Sequence, residues 1–481
     1  MALMPEVRLG TAAGRWLVAA TVLGSGMALL DSTVVNIALP AIADEFGSGL
    51  AGLQWTLDSY LLTLASLILL GGSLGDRFGR RFIFLIGTVW FALASLLCAV
   101  APTIGVLVAA RALQGVGAAL LTPVSLAILQ TTLVPDDRGR GIAAWSGLVG
   151  VATAVGPALG GWLIGSGSWR WIFALNLPIA LAVVVISLRY VPESRDEAEA
   201  GRRLDLVGAA LGAISLAALT YGFIRWGEYG ADGLVVASLA AGVLALAGFV
   251  LLERRLRHPM LPLGLFADRR FTGTNLVTLG LYAALSAALF LLVVRLQNEV
   301  GYSPLAAGFA TLPVTLLMLA GSDLAGRLAA RIGPRLPLTV GPMVAGVGLA
   351  LLARIGPGSD YWTVVLPGVL VFGLGITLVV APLTATVLAS AADEVAGVAS
   401  GVNNAVARTA GLLGVAVVPL LAGGASGRAF PAAMLISAGL AVGSGVAGWL
   451  TLAGPCPIPK PSLPQYSCGA GAPQLASRGT S

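Results

Sequence analysis

Histidine is almost absent from this sequence: His258 stands alone. With no cluster of His, Asp or Glu at one membrane face, a membrane-embedded enzyme and a metal site are both disfavoured. Cysteine is nearly as scarce. Cys98 lies inside an apolar run, and Cys456 and Cys468 lie near the end without partners at metal-site spacing, so neither a disulfide framework nor a zinc site is expected. Charge is the third scarcity. Charged residues make up 10% of the chain, against about a quarter in soluble domains, which excludes a water-exposed surface over most of its length. A "GxxxxGK[ST]" stretch is also missing, as is any soluble segment to hold one, so ATP is not the expected energy source.

What is present is apolar. The chain is 57% hydrophobic with a mean hydropathy of +0.92, and runs of about 20 apolar residues, the length an α-helix needs to cross hydrocarbon, recur from end to end. Reading between charged or turn-rich breaks predicts fourteen spans, near 16–40, 53–72, 82–101, 104–129, 141–164, 170–190, 205–225, 232–252, 273–296, 305–323, 336–354, 362–388, 399–422 and 431–453. The first run follows Arg8 and Arg15 as a signal peptide would. It is too long for one, however, and Asp31 interrupts it, so it reads as the first spanning helix.

The net charge of +6 does not point to nucleic acid, because the basic residues form no patch and sit in short connections. An even number of spans puts both termini on one side. Of the 28 Lys and Arg, seventeen fall in connections on that side, two in the N-terminal segment and two in the tail. Five fall opposite (Arg170, Arg225, Arg295, Arg354 and Arg428), and Arg111 and Arg408 lie within spans. By the positive-inside rule both termini are expected in the cytoplasm, with the chain in the cell membrane.

One cytoplasmic connection, "GGSLGDRFGRR" (71–81), crowds Asp76, Arg77, Arg80 and Arg81 among Gly72, Gly75 and Gly79. Charge alone would set topology; the glycines add tight turns and close helix approach. The pattern returns as "GRLAARIGPR" (326–335), which matches residues 72–81 at five of ten positions but has Ala330 where Asp76 stands. Both copies follow an outside-to-inside span, as parallel repeats of a secondary transporter would give.

With this repeat, "LDSTVVNIALP" (30–40), "RALQGVGAALLTP" (111–123) and "GVATAVGPALGG" (150–161), the chain resembles the major facilitator superfamily, specifically its fourteen-helix drug:proton antiporter branch. The resemblance implies an all-α integral membrane fold of two six-helix bundles around a central cavity, with two inserted helices, and alternating access by rocking. The expected division is a cytoplasmic segment 1–15, a bundle 16–190, loops and inserted helices 191–272, a second bundle 273–453 and a disordered tail 454–481. It further implies that the aspartate matching Asp76 stabilises one conformation through a neighbouring helix end. The stretch holding Gly156, Pro157, Gly160 and Gly161 is similar to the motif associated with antiporters, where it would bend the helix and seal the protein against leaks.

Ionisable groups at membrane depth are functional candidates by default. At 1.5 Å per residue Asp31 lies roughly 13 Å below the outer surface and Arg111 roughly 10 Å, so the two are expected at similar depth. They read either as a proton site tuned by a changing Asp–Arg distance or as a permanent ion pair. Asp58 reads as a second proton or substrate carboxylate or as a headgroup-level residue touching water. Arg295 reads as a snorkelling side chain. Asn404 and Arg408 share a helical face and match a related Asn and Arg pattern in the family, whose spacing is often one residue shorter. With Asn36 and Gln114 they either line a cavity or bond helices together. Six tryptophans near predicted helix ends, Trp55, Trp90, Trp145, Trp162, Trp169 and Trp171, read as an interfacial belt.

The function these readings favour is proton-driven efflux of hydrophobic or amphiphilic small molecules, with no cofactor and the proton gradient as energy source. The expected partners are a small-molecule substrate, protons and the lipid bilayer, with the chain acting as a monomer. An importer or an exporter of another small metabolite on the same fold is the alternative, and a passive receptor would leave the buried charges unexplained.

Overall fold

A computed structural model describes residues 7–196, 204–256, 259–391, 396–423 and 429–452. His258, Arg428, Cys456, Cys468 and the tail from 454 lie outside them. Fourteen of the described helices are long and apolar enough to cross a membrane: α1 Ala12–Phe46, α2 Leu50–Phe78, α3 Arg80–Ala99, α4 Ile104–Thr132, α5 Pro135–Gly165, α6 Trp171–Tyr190, α7 Leu206–Tyr229, α8 Gly233–Arg255, α9 Arg269–Asn298, α10 Pro304–Ile332, α11 Arg335–Leu352, α12 Tyr361–Ala389, α13 Gly397–Leu421 and α14 Ala429–Thr451. Several outrun the apolar stretches that mark them. The longest, α1, continues past Asp44 and Glu45, because hydropathy registers only the part of a helix inside hydrocarbon.

Polar residues start many of these helices. Thr11, Thr103, Asp205, Asp232, Asp268, Ser303 and Asp360 each accept a hydrogen bond from a backbone N–H of the turn that follows, satisfying a donor the helix leaves unpaired. Asp232 also takes the Arg225 guanidinium at 2.6 Å, which ties α7 to α8. That hydrogen bond holds the Asp232 carboxyl below the usual carboxylate range.

The helices α1–α6 pack on one another, as do α9–α14, each set around apolar side chains of its own. Between them α7 and α8 form a pair, with α7 leaning on both α2 and α13. The two bundles meet along α5 and α10, α2 and α13, and α1 and α9.

The connection expected at 72–81 is shorter than a loop. Asp76 and Arg77 belong to the last turn of α2 and Arg80 and Arg81 to the first turn of α3, so Gly79 alone separates the helices. Gly79 takes φ +114°, and the Glu193 carboxylate lies 2.7 Å from where a Cβ would stand. That carboxylate accepts from the backbone N–H groups of Arg81 and Phe82 at 3.0 and 3.1 Å, capping α3. Arg80 donates to Asp76 at 2.9 and 2.6 Å across the glycine. Arg81 donates to the Val191 carbonyl, just beyond α6, at 3.2 Å.

The second copy repeats the geometry. Gly333 ends α10 with φ +85°, and Arg335 donates to the Trp449 carbonyl in the last turn of α14 at 3.1 Å. Each repeat thus clasps the end of its sixth helix with an arginine in the first turn of its third. The end of the molecule carrying Gly79 and Gly333 is called the motif end below, and the opposite one the far end.

Replacing Gly79 by alanine is expected to cost about 1–3 kcal/mol, from a positive φ in a crowded space. At Gly72 a Cβ would meet only Pro123, at an ordinary 3.7 Å, and the same change should cost little. Thermal unfolding of the purified full chain in detergent reads the difference; equal losses at both positions would contradict the backbone argument.

Candidate functional site

At mid-depth the N-terminal bundle holds a closed polar cluster. The Asp31 carboxylate of α1 accepts from Arg111 Nη1 of α4 at 2.5 Å, and from Gln114 Nε2 of α4 and Asn176 Nδ2 of α6 at 2.9 Å each. Gln114 also donates to Ser95 of α3 at 2.8 Å, and its carbonyl oxygen accepts from Arg111. Arg111 Nε donates to the Thr56 carbonyl of α2 at 3.2 Å. Its guanidinium lies 4.4 Å from the centre of the Tyr60 ring and 5.7 Å from that of Phe173. Asp31, Arg111, Gln114 and Asn176 are each no more than 1% exposed.

Desolvating two charges is costly, and only extensive hydrogen bonding offsets it. This cluster supplies that bonding from helices that all belong to one bundle. Rigid rocking of bundle against bundle leaves distances within a bundle unchanged, so the geometry favours the permanent ion pair over a pair that opens and closes. Gln114 belongs to this cluster, bonding α4 to α1 and α3. Asn176 is the member that the sequence reading missed; its signal is a lone amide in the apolar run "IFALNLPIAL".

The residues expected near the outer surface lie deeper. Asp58 is 0% exposed, and neither carboxylate oxygen has a hydrogen-bond partner among the described residues. It is therefore no water-contacting headgroup residue. It sits one turn along α2 from Gln54, which donates to the Val415 carbonyl of α13 at 2.7 Å, so it lies beside the seam between the bundles. Arg295 does not snorkel. It is 7% exposed, pairs with Glu299 and faces the Phe430 ring. Trp169 is likewise buried and donates to Glu45 at 2.7 Å, rather than lying in an interfacial belt.

The stretch at 156–161 serves two contacts. Gly156 and Gly160 face Thr33 and Val34 of α1, with 2.7 Å from the Gly160 Cβ position to Val34. Gly161 faces the Pro304–Leu305 backbone at 2.6 Å, and Gly308 lies against the Pro157 carbonyl. One helix thereby packs tightly on its own bundle and on the other. Gln297 adds a hydrogen bond to the Ile37 carbonyl at 3.0 Å, so the seam is closed at the far end.

On α13, Asn403 donates to Asn275 at 3.0 Å and Thr278 at 2.8 Å, both on α9. Its neighbour Asn404 is exposed and bonds only its own helix, at the Ser400 carbonyl. Asn36 does the same at Ser32 and stays outside the Asp31 cluster. In the motif connection, the described hydrogen bonds of Asp76, Arg80 and Arg81 go to the N-terminal half.

Residues 21–414 match the Major Facilitator Superfamily. The chain belongs to that family.

It is 40% identical to the puromycin resistance protein of Streptomyces alboniger, over 83% of this chain and 80% of that protein. Over 86% of this chain and 76% of the relative, it is 36% identical to the tetracenomycin C resistance and export protein of Streptomyces glaucescens. It is 35% identical to the methylenomycin A resistance protein of Streptomyces coelicolor, over 90% and 92%. Among solved structures, the E. coli xylose transporter XylE in an inward-open conformation superposes with a TM-score of 0.63, at 16% identity, over 91% of this chain and 95% of that one. A peptide transporter in complex with sulfate gives 0.68, at 14% identity, over 93% and 98%. At those identities the likeness is one of fold. The protein is thus a multi-pass membrane transporter and not an enzyme.

Arg111→Leu is expected to cost about 3–5 kcal/mol, because it leaves Asp31 buried without its cation. Adding Asp31→Asn should recover part of that loss. Unfolding of the two single variants and the double variant measures the coupling; strictly additive losses would show that the pair does not act as one unit.

Proposed function

We propose that this protein exports hydrophobic or amphiphilic small molecules in exchange for protons, rocking its bundles about the α2–α13, α5–α10 and α1–α9 seams. The reading rests on Asp58. An ionised carboxylate buried without a partner costs several kcal/mol, so a far end closed over Asp58 favours the neutral acid. Parting of α2 from α13 brings water to the same group and lets it ionise. Access and protonation are then linked at one side chain, which is what coupling requires. Asp31, locked to Arg111, supplies structure to this cycle rather than the travelling proton.

The relatives' names speak of resistance and export, and this supports efflux over uptake. The arginine-rich motif end faces the cytoplasm in this reading, with both termini there and the chain in the cell membrane. It works as a monomer within the bilayer, without cofactor or ATP.

The test uses proteoliposomes of the full chain with puromycin, tetracenomycin C and methylenomycin A as a panel. An acidic lumen without ATP should drive accumulation of at least one compound as protons leave. Asp58→Asn should abolish the response to the gradient while substrate-for-substrate exchange continues. Movement indifferent to the gradient in the unmodified protein would refute proton coupling.

A further inference from the structure

Asp31, Asp58, Arg111 and Arg408 are ionisable side chains well inside their spans. Three of them are no more than 1% exposed. Arg408 is the exception, being half-buried.

Its neighbours on α13 fix where it faces. Gly401 lies against Leu69 of α2 at 3.3 Å from its Cβ position, and Gly411 against Ser286 of α9 at 2.8 Å and Leu61 of α2 at 4.0 Å. Val415 accepts from Gln54 of α2. Positions 404, 408, 411 and 415 follow helical spacing on one face, so Arg408 faces the cleft between α2 and α9. One turn toward the motif end Asn404 is exposed, so this face reaches open space on that side.

Arg408 has no ion-pair or hydrogen-bond partner among the described residues. Asp58 does not neutralise it. Along the seam, Asp58 lies one turn to the far-end side of the Leu61–Gly411 contact and Arg408 one turn to the motif-end side. Asp31 is already saturated by Arg111, Gln114 and Asn176. An unpaired guanidinium at membrane depth is costly, and it leaves the cleft with a positive charge that no described carboxylate pairs with.

We propose that Arg408 is the charge filter of the transport path, admitting amphiphiles that carry an anionic group such as a carboxylate, sulfonate or phenolate and disfavouring cationic ones. This rests on the export reading above and narrows its substrate class. The planar guanidinium offers a carboxylate two parallel N–H donors, while a cationic amphiphile there meets a like charge.

The probes that test this differ in charge alone: pyrenebutyrate, and the same pyrene with trimethylammonium on its butyl chain. Binding to the purified full chain in a non-ionic detergent is read from pyrene fluorescence against detergent-only controls. The carboxylate probe should bind better than the ammonium probe. Arg408→Gln should weaken the carboxylate probe about tenfold, as loss of one charge-assisted hydrogen bond implies, and should not weaken the ammonium probe. Arg408→Lys, which keeps the charge, should retain the preference and guards against a misfolded Gln variant. A preference for the ammonium probe, a preference unchanged in Arg408→Gln, or binding of neither probe would overturn the filter. Transport is scored separately in proteoliposomes: a charge preference that depends on Arg408 without outward movement of either probe refutes export and leaves the filter standing.

Discussion

A carboxylate and a guanidinium placed in hydrocarbon must be satisfied by each other and by their neighbours, because no water is at hand to do it. In this chain that constraint fastens most of the N-terminal bundle. Asp31 and Arg111 draw α1 and α4 together, Asn176 brings in α6, Ser95 adds α3, and the Thr56 carbonyl adds α2. Slippage of any one of these helices along its axis leaves a polar group unpaired. The second bundle, although it repeats the clasp of Arg81 as Arg335, shows no such cluster among the described residues. Its α9–α13 contact is held by Asn403 through neutral amide and hydroxyl groups. The repeat therefore preserves the motif-end geometry while the polar interiors differ.

Much of this was legible because the bilayer makes depth countable. Apolar length marked all fourteen spans, and counting residues from helix ends brought Asp31 and Arg111 to one level. Rotation about a helix axis is not countable in that way, since it is set by packing against neighbours. Asn176 was missed for that reason, and Gln114 was left open between lining a cavity and bonding helices together. Asp58 and Arg295 show a related gap. The predicted spans put each near a helix end, which reads as closeness to water, yet each is buried in the structure. The motif connection shows a third: four charges looked like a loop, and one glycine with a positive φ suffices to turn α2 into α3.

The α5–α10 seam is built from very different material. Gly161 and Gly308 bring backbone against backbone, so that surface is tight there. Close backbone packing supplies dispersion across the whole contact, and its loss is spread over many weak contacts rather than concentrated in one broken ion pair. Across the α2–α13 and α1–α9 seams the hydrogen bonds run from side-chain amides to carbonyls, Gln54 to Val415 and Gln297 to Ile37, and water can replace such bonds once the surfaces part. The bundle itself has no such substitute for its buried ion pair.

Rigidity inside one bundle and replaceable contacts between the two together determine what kind of motion is inexpensive. Deforming the N-terminal bundle means separating Asp31 from Arg111 in a dry interior; tilting it as a unit means only exchanging contacts along the seams. The inserted helix α7 constrains that tilt, because it leans on α2 and α13 at once, with the Trp55 and Tyr221 rings 6.3 Å apart and Ile224 buried beside Ala51 and Ala416. In the proposed rocking, α7 must keep one partner and release the other or ride between them. Its partner α8 packs chiefly on α7, and so opposes neither course. The pair can thus cover the lipid-facing side of the seam through the movement without holding the bundles together.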